Sequence, residues 1–313
     1  MTRRLLLFGA FAAVASVLVV VAWPEGSGST VVFEASYPEG PLYDKGRLYY
    51  AEMGADVVTV IEGDRPRVFF RQEGCGPTAI ARYGLGFVVL CHLGGRVVFV
   101  SADGKAGRVW GADNAGVLLR NPNDVSADGR GGVYFSDPGT FSRDSQREGR
   151  ILHLNKDGDL RAVADSLWYP NGVSVDRKAR RVLVSEHMEG RVLSFGLSAD
   201  GSLESPTTVA RIADAAPSHR YRDAYRETGP DGLEVGPNGD LYVAVYGEGR
   251  IVRFGPKGDY RGQIMLPTRF STNIAFAPDG SAVTTGAFDN DTPPFTGEVR
   301  SRAASMATRT RTT

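Results

Sequence analysis

The chain has 313 residues, 42% of them hydrophobic, with 36 Lys plus Arg against 36 Asp plus Glu. That charge balance gives no footing for a nucleic-acid surface, and the length suits one large all-β domain or two ordinary ones. Glycine is abundant, at 39 residues, against an average near ~7%, as a fold of many tight turns requires.

Arg3 and Arg4 precede an uncharged, mostly apolar stretch from Leu5 to Trp23. A hydrophobic helix over this stretch is long enough to span a bilayer, with the arginines held on the cytoplasmic side. A cleaved signal peptide ending at the small residues near Ala22 is the alternative reading. Either way the folded part is exported, to the periplasm or the extracellular space, with a membrane tether through residues 5–23 in the first case. Residues 24–30, rich in Gly and Ser, read as a flexible linker.

Beyond the linker one pattern recurs six times, starting at Glu39, Thr78, Asn123, Asn171, Asp231 and Asn273. Most copies open on a polar residue, run through a short apolar strand, turn on Gly, Asp-Gly or Asn-Gly, and continue into a second apolar strand. The starts lie 39, 45, 48, 60 and 42 residues apart, close to the length of a propeller blade. Residues 31–300 therefore read as an all-β, six-bladed β-propeller. The fifth blade is the clearest, with four strand segments joined by Gly236-Pro-Asn-Gly239, Gly247-Glu-Gly249 and Pro256-Lys-Gly258. The last blade has only three candidate strands, so the strand beginning at Thr30 is expected to supply its outer strand and close the ring.

Cys75 precedes the inner strand of the second blade and Cys91 ends the next strand. A hairpin centred near Tyr83–Gly84 would bring them face to face, as a disulfide in an oxidising compartment or as two buried thiols. The connection 210–229 is longer than the others and is expected to overhang the mouth of the central channel. Residues 301–313 have no apolar period and read as a disordered tail.

Equivalent positions in successive blades point at one axis, so Glu39, Asn123, Asn171 and Asp231 should surround a single point. All four are oxygen donors, which favours Ca2+, or Mg2+ or Mn2+, over soft metals. Four protein ligands would leave positions open for water and a substrate oxygen, as a catalytic metal needs. Taken singly, each could merely cap a turn; their common phase in the repeat favours a shared ion.

The segments Glu39-Gly-Pro41, Asn121-Pro-Asn-Asp124, Pro170-Asn-Gly172 and Pro230-Asp-Gly232 resemble the signature of the senescence marker protein, gluconolactonase and luciferin-regenerating enzyme family, over about residues 31–290. The resemblance implies a divalent metal in the channel, calcium or zinc, held by Glu39, Asn171 and Asp231. Asn123 is then a further metal or substrate contact, and Asp231 the base or nucleophile. Asn121, His92 and His187 are candidate substrate contacts; the two histidines end second strands, where ordinary packing is the alternative. Asp137, in Ser-Asp-Pro, reads as a turn cap.

These features lead to a metal-dependent hydrolase of lactones, acting on a small molecule, with no nucleic-acid partner and as a monomer. A phosphotriester or aryl-ester hydrolase on the same metal, or a tethered binding propeller with a structural ion, are the competing readings. There is no Gly-x-Ser-x-Gly elbow for a serine route.

Overall fold

The structure, a computed structural model, describes residues 30–302 except 219, 220, 222, 292 and 294. The hydrophobic helix expected over residues 5–23 lies outside the described residues, as does the tail from 303 onward. The described strands begin at Thr30 and end at Arg302, so the ring takes in one residue assigned to the linker and two assigned to the tail.

Six four-stranded antiparallel sheets surround a common axis. The first blade runs through Pro38–Asp44, Arg47–Glu52, Val57–Glu62 and Arg65–Arg71, each strand hydrogen-bonded to the next. The next four blades repeat this order, from innermost to outermost strand, starting at Pro77, Val125, Pro170 and Gly229. The last blade has Phe270–Phe276 innermost, then Ala282–Ala287 and Thr296–Arg302. Its fourth strand is Thr30–Ser36, paired antiparallel with Thr296–Arg302 from Thr30↔Arg302 to Ser36↔Thr296. The ring is thus closed by joining the two ends of the described chain, which removes two exposed sheet edges.

The burial of each strand follows from its place in the blade, inner strands having a sheet on either side. Gly86–Cys91, second in its blade, is buried along its whole length, whereas four of the five residues in the outer strand Ala106–Trp110 are exposed. Apolar side chains from neighbouring blades fill the wedges between them. Leu90 and Val88 meet Val133, Phe135 and Leu152 across one boundary, and Phe33, Leu48 and Tyr50 meet Val283 and Val299 across the closing one. Among the described residues the helical segments are short 3-10 turns, at Met53–Ala55, His187–Glu189 and Ile212–Asp214.

Cys75 and Cys91 form a disulfide with a Cα–Cα distance of 4.4 Å. The hairpin that brings them together pairs Tyr83 with Gly86, so its turn is Gly84–Leu85, one residue later than expected.

Candidate functional site

At one end of the axis the innermost strands begin, and most of them begin with a bulge. The register slips between Glu39 and Leu42, Pro77 and Ala79, Pro170 and Val173, Pro230 and Leu233, and Ser271 and Asn273. A bulge leaves a residue out of the ladder and re-aims its side chain. Here the bulged residues include Asn171 and Asp231, and Glu39 sits at the edge of one. The glycine that follows three of the four site residues has a steric reason. A Cβ on Gly172 would lie 2.4 Å from the Asp231 carbonyl oxygen, and one on Gly40 2.4 Å from that of Thr78. Inner strands converge this closely only where one lacks a side chain.

Glu39, Asn123, Asn171 and Asp231 line one cavity of about 150 Å³. The rest of its wall comes from Thr78, His92, Tyr37, Met53, Phe141, Tyr169 and Tyr246. Glu39 and Asp231 are 7% and 4% exposed, and neither has an ion-pair partner among the described residues. Burial, then the charges of Asp231 and Asp124, raises the Glu39 carboxyl well above its usual range. Burial and then Asp124 do the same to Asp231, while the Gly232 amide and the Asn171 side chain pull it back. Burial raises Asp124 itself to about 6, opposed by bonds from the Val173 and Val125 amides and Asn273. Acids buried together without a counter-charge must share protons or take up a cation.

The donor set fits a hard cation. Among the described residues no three His, Cys, Asp or Glu side chains cluster as a metal site; the cavity instead offers two carboxylates and two amides. The buried Asn171 Oδ1 has no hydrogen-bond partner, although its amide reaches Asp231. A buried carbonyl oxygen left unpaired beside two carboxylates suits an oxygen-preferring ion.

His92 joins these four in the cavity wall; Asn121 and His187 do not. Asn121 lies in the connection leading to the third blade, its backbone amide donating to Asp137 Oδ1 at 2.9 Å. Asp137 is indeed a cap, accepting also from the Arg120 amide and pairing with Arg150 at 2.7 Å. His187 stands one layer behind the wall, packed against Phe141, Tyr169 and Tyr246, with Nε2 donating to the Glu227 carbonyl at 2.7 Å. Asn273 turns away from the cavity and donates to Asp124 Oδ1 at 3.3 Å.

The aromatic wall is what the sequence reading missed. Tyr37, Tyr169 and Tyr246 come from strand ends or the residues just before them, where an aromatic side chain looks like ordinary core. Phe141 comes from the excursion between Asp137 and Gly149, and the 48-residue spacing of the third blade was the available signal. The described part of the 210–229 connection packs behind this wall, with Tyr225 against Tyr246 and Phe270. Arg143 ties the two loops together: its guanidinium donates to the carbonyls of Met188, Arg226 and Thr228 at 2.8, 2.6 and 2.7 Å.

A six-bladed propeller with a buried, oxygen-lined pocket at the mouth of its axis defines the class of protein. Residues 37–285 match the SMP-30/Gluconolactonase/LRE-like region, and the chain belongs to that family. It is 27% identical over 255 residues to lactonase drp35 of Staphylococcus saprophyticus, covering 77% of this chain and 75% of that protein. The structure resembles a gluconolactonase from Xanthomonas campestris, with a TM-score of 0.69 at 20% identity over 91% of this chain and 93% of that one. It also resembles a calcium-binding regucalcin from Agrobacterium tumefaciens, with a TM-score of 0.64 at 16% identity over 87% and 90%. At such identities the two structural likenesses speak for the fold alone.

Proposed function

We propose that this chain is a metal-dependent hydrolase that opens lactones, with Glu39, Asn123, Asn171 and Asp231 holding one Ca2+, or Zn2+, Mg2+ or Mn2+ in its place. The observation that carries the reading is the convergence of two unpaired buried carboxylates and the unpartnered Asn171 Oδ1 on one cavity, in a family whose relatives include lactonases. When bound, such an ion supplies Lewis acidity to the lactone carbonyl.

The chain's own residues do the rest. Asp231 orients a water and takes its proton as the water oxygen bonds to the carbonyl carbon. The ring C–O bond then breaks, and the proton passes to the departing alkoxide to give the open hydroxy acid. Direct attack by the Asp231 carboxylate, followed by hydrolysis of the resulting anhydride, is the covalent form of the same role. Glu39 and the two amides hold geometry and charge, while Tyr37, Met53, Phe141, Tyr169 and Tyr246 exclude bulk water and hold the substrate body. Export to an oxidising compartment accompanies this reading, supported by the apolar stretch 5–23 and the Cys75–Cys91 disulfide. So does a monomeric state, a complete pocket being formed within one chain.

Asp231→Asn and Glu39→Gln separate chemistry from metal retention. Across a calcium titration of lactone hydrolysis, Asp231→Asn should stay roughly 10²–10⁴-fold slow even at saturation. Glu39→Gln should recover much of its activity as calcium rises. Full recovery of Asp231→Asn at high calcium would show that Asp231 is only a ligand. Turnover of phosphotriesters or aryl esters without any lactone would favour that chemistry on the same site.

A further inference from the structure

We infer, building on the lactonase reading, that the substrate is a single-ring lactone with an apolar body rather than a polyhydroxylated sugar lactone. Space is the first argument. A cavity of about 150 Å³ is the size of one that holds a single benzene ring. With an ion on the four oxygen donors taking part of it, it admits at most one lactone ring, and any substituent extends past Phe141, which is 38% exposed at the mouth.

The chemistry of the wall is the second. Beside the four oxygen donors the cavity is lined by Tyr37, Met53, Phe141, Tyr169 and Tyr246, and none of the described lining residues is Lys or Arg. Each hydroxyl on this wall already has a partner within the protein, and what it keeps for a ligand is mainly a lone pair. Tyr37 and Tyr246 bond each other at 2.5 Å, and Tyr246 accepts from Asn290 Nδ2 at 3.1 Å. Tyr169 bonds the Asn123 side chain, and Thr78 Oγ1 donates to the Asn123 carbonyl at 2.7 Å. His92 Nδ1 is unpartnered but fully buried, so it presents no free acceptor to the cavity, whereas a sugar lactone brings several hydroxyls to this aromatic wall. Each one buried without a partner lowers kcat/KM by roughly tenfold or more.

The test compares kcat/KM of the full chain, in calcium, for γ- and δ-lactones carrying an alkyl or aryl substituent and for aldonolactones of the same ring sizes. The expected result is a preference of ~100-fold or more for the unhydroxylated set, the cost of about two unpartnered hydroxyls. Equal or better turnover of the aldonolactones would overturn the inference and leave the lactonase reading standing. No turnover of either set would remove both. Phe141→Ser, at a partly exposed loop position, should shrink the preference about tenfold, chiefly by raising KM for the substituted lactones. An unchanged ratio would overturn the claim that the aromatic wall sets it.

Discussion

The Ser136 hydroxyl in the third blade donates to the backbone carbonyl of Asn171 in the fourth at 2.6 Å. The same device recurs around the ring. Thr78 Oγ1 reaches the Asn123 carbonyl at 2.7 Å, and Thr272 Oγ1 reaches the Pro38 carbonyl, next to Glu39, at 2.8 Å. In each pair a hydroxyl from the preceding blade therefore holds the backbone of a site residue or, at Glu39, of the residue before it. The cavity geometry is a property of blade-to-blade packing and not of any single sheet.

Ser136→Ala tests this coupling. It leaves a buried carbonyl without a donor, at about 1–3 kcal/mol, and frees the backbone that aims Asn171. Thermal unfolding should show the stability loss, and calorimetric titration should show calcium affinity reduced several-fold. Unaltered calcium affinity in a destabilised variant would mean that the hydroxyl serves packing alone.

Why was so much of the ring, and less of the pocket, legible in the sequence? Blade period, closure by the strand beginning at Thr30, and the common phase of Glu39, Asn123, Asn171 and Asp231 all rest on local rules: turn glycines, strand alternation, and a polar residue ahead of each inner strand. The glycine after Glu39, Asn171 and Asp231 is itself a readable mark of strands that converge. The pocket wall depends instead on which way a strand-end side chain faces, and spacing does not encode that. His92 and His187 hold the same place in their sequence motifs, yet one lines the cavity and the other stacks behind it. Asn123 and Asp124 are adjacent, but the second turns to the Val173 amide and Asn273. Phe141 arrives on an excursion that belongs to no repeat.

The Cys75–Cys91 bridge should contribute to stability through the unfolded chain. It closes a span of 16 residues, for which loop-closure entropy corresponds to about 3 kcal/mol. The Cys75→Ala, Cys91→Ala double variant, compared with the oxidised protein by denaturant unfolding, should lose stability of that order without losing lactone turnover at low temperature. Equal midpoints for the two proteins would contradict this.

The buried histidines should each contribute a loss of stability in acid. Burial first, with the Arg143 charge adding to it, lowers His187 from 6.5 to about 4, against the raising effect of its bond to the Glu227 carbonyl. A depressed histidine contributes stability that is fully present above the unfolded value and is lost as pH falls. The window is pH 6.5 to about 4, and the full loss for His187 is on the order of 3 kcal/mol. His92, also lowered to about 4 by burial, titrates over the same range. Because the raised acids Glu39, Asp124 and Asp231 act in the opposite sense over the same range, the histidine contribution is read as a difference. From pH 7 to 4 the unfolding free energy should drop by about 3 kcal/mol relative to that of His187→Gln. An identical pH dependence in the variant would show that His187 does not titrate as described.

Lactone opening is expected to depend on one divalent cation bound by Glu39, Asn123, Asn171 and Asp231. The most direct measurement follows hydrolysis of a substituted δ-lactone by the metal-free protein as calcium is added, with bound calcium counted in the same titration. Hydrolysis should be absent without calcium and should rise in step with occupancy, saturating at one ion per chain. The Glu39→Gln variant should trace the same curve displaced to higher calcium. Full turnover by protein stripped of divalent ions, or activity indifferent to bound calcium, would contradict the account.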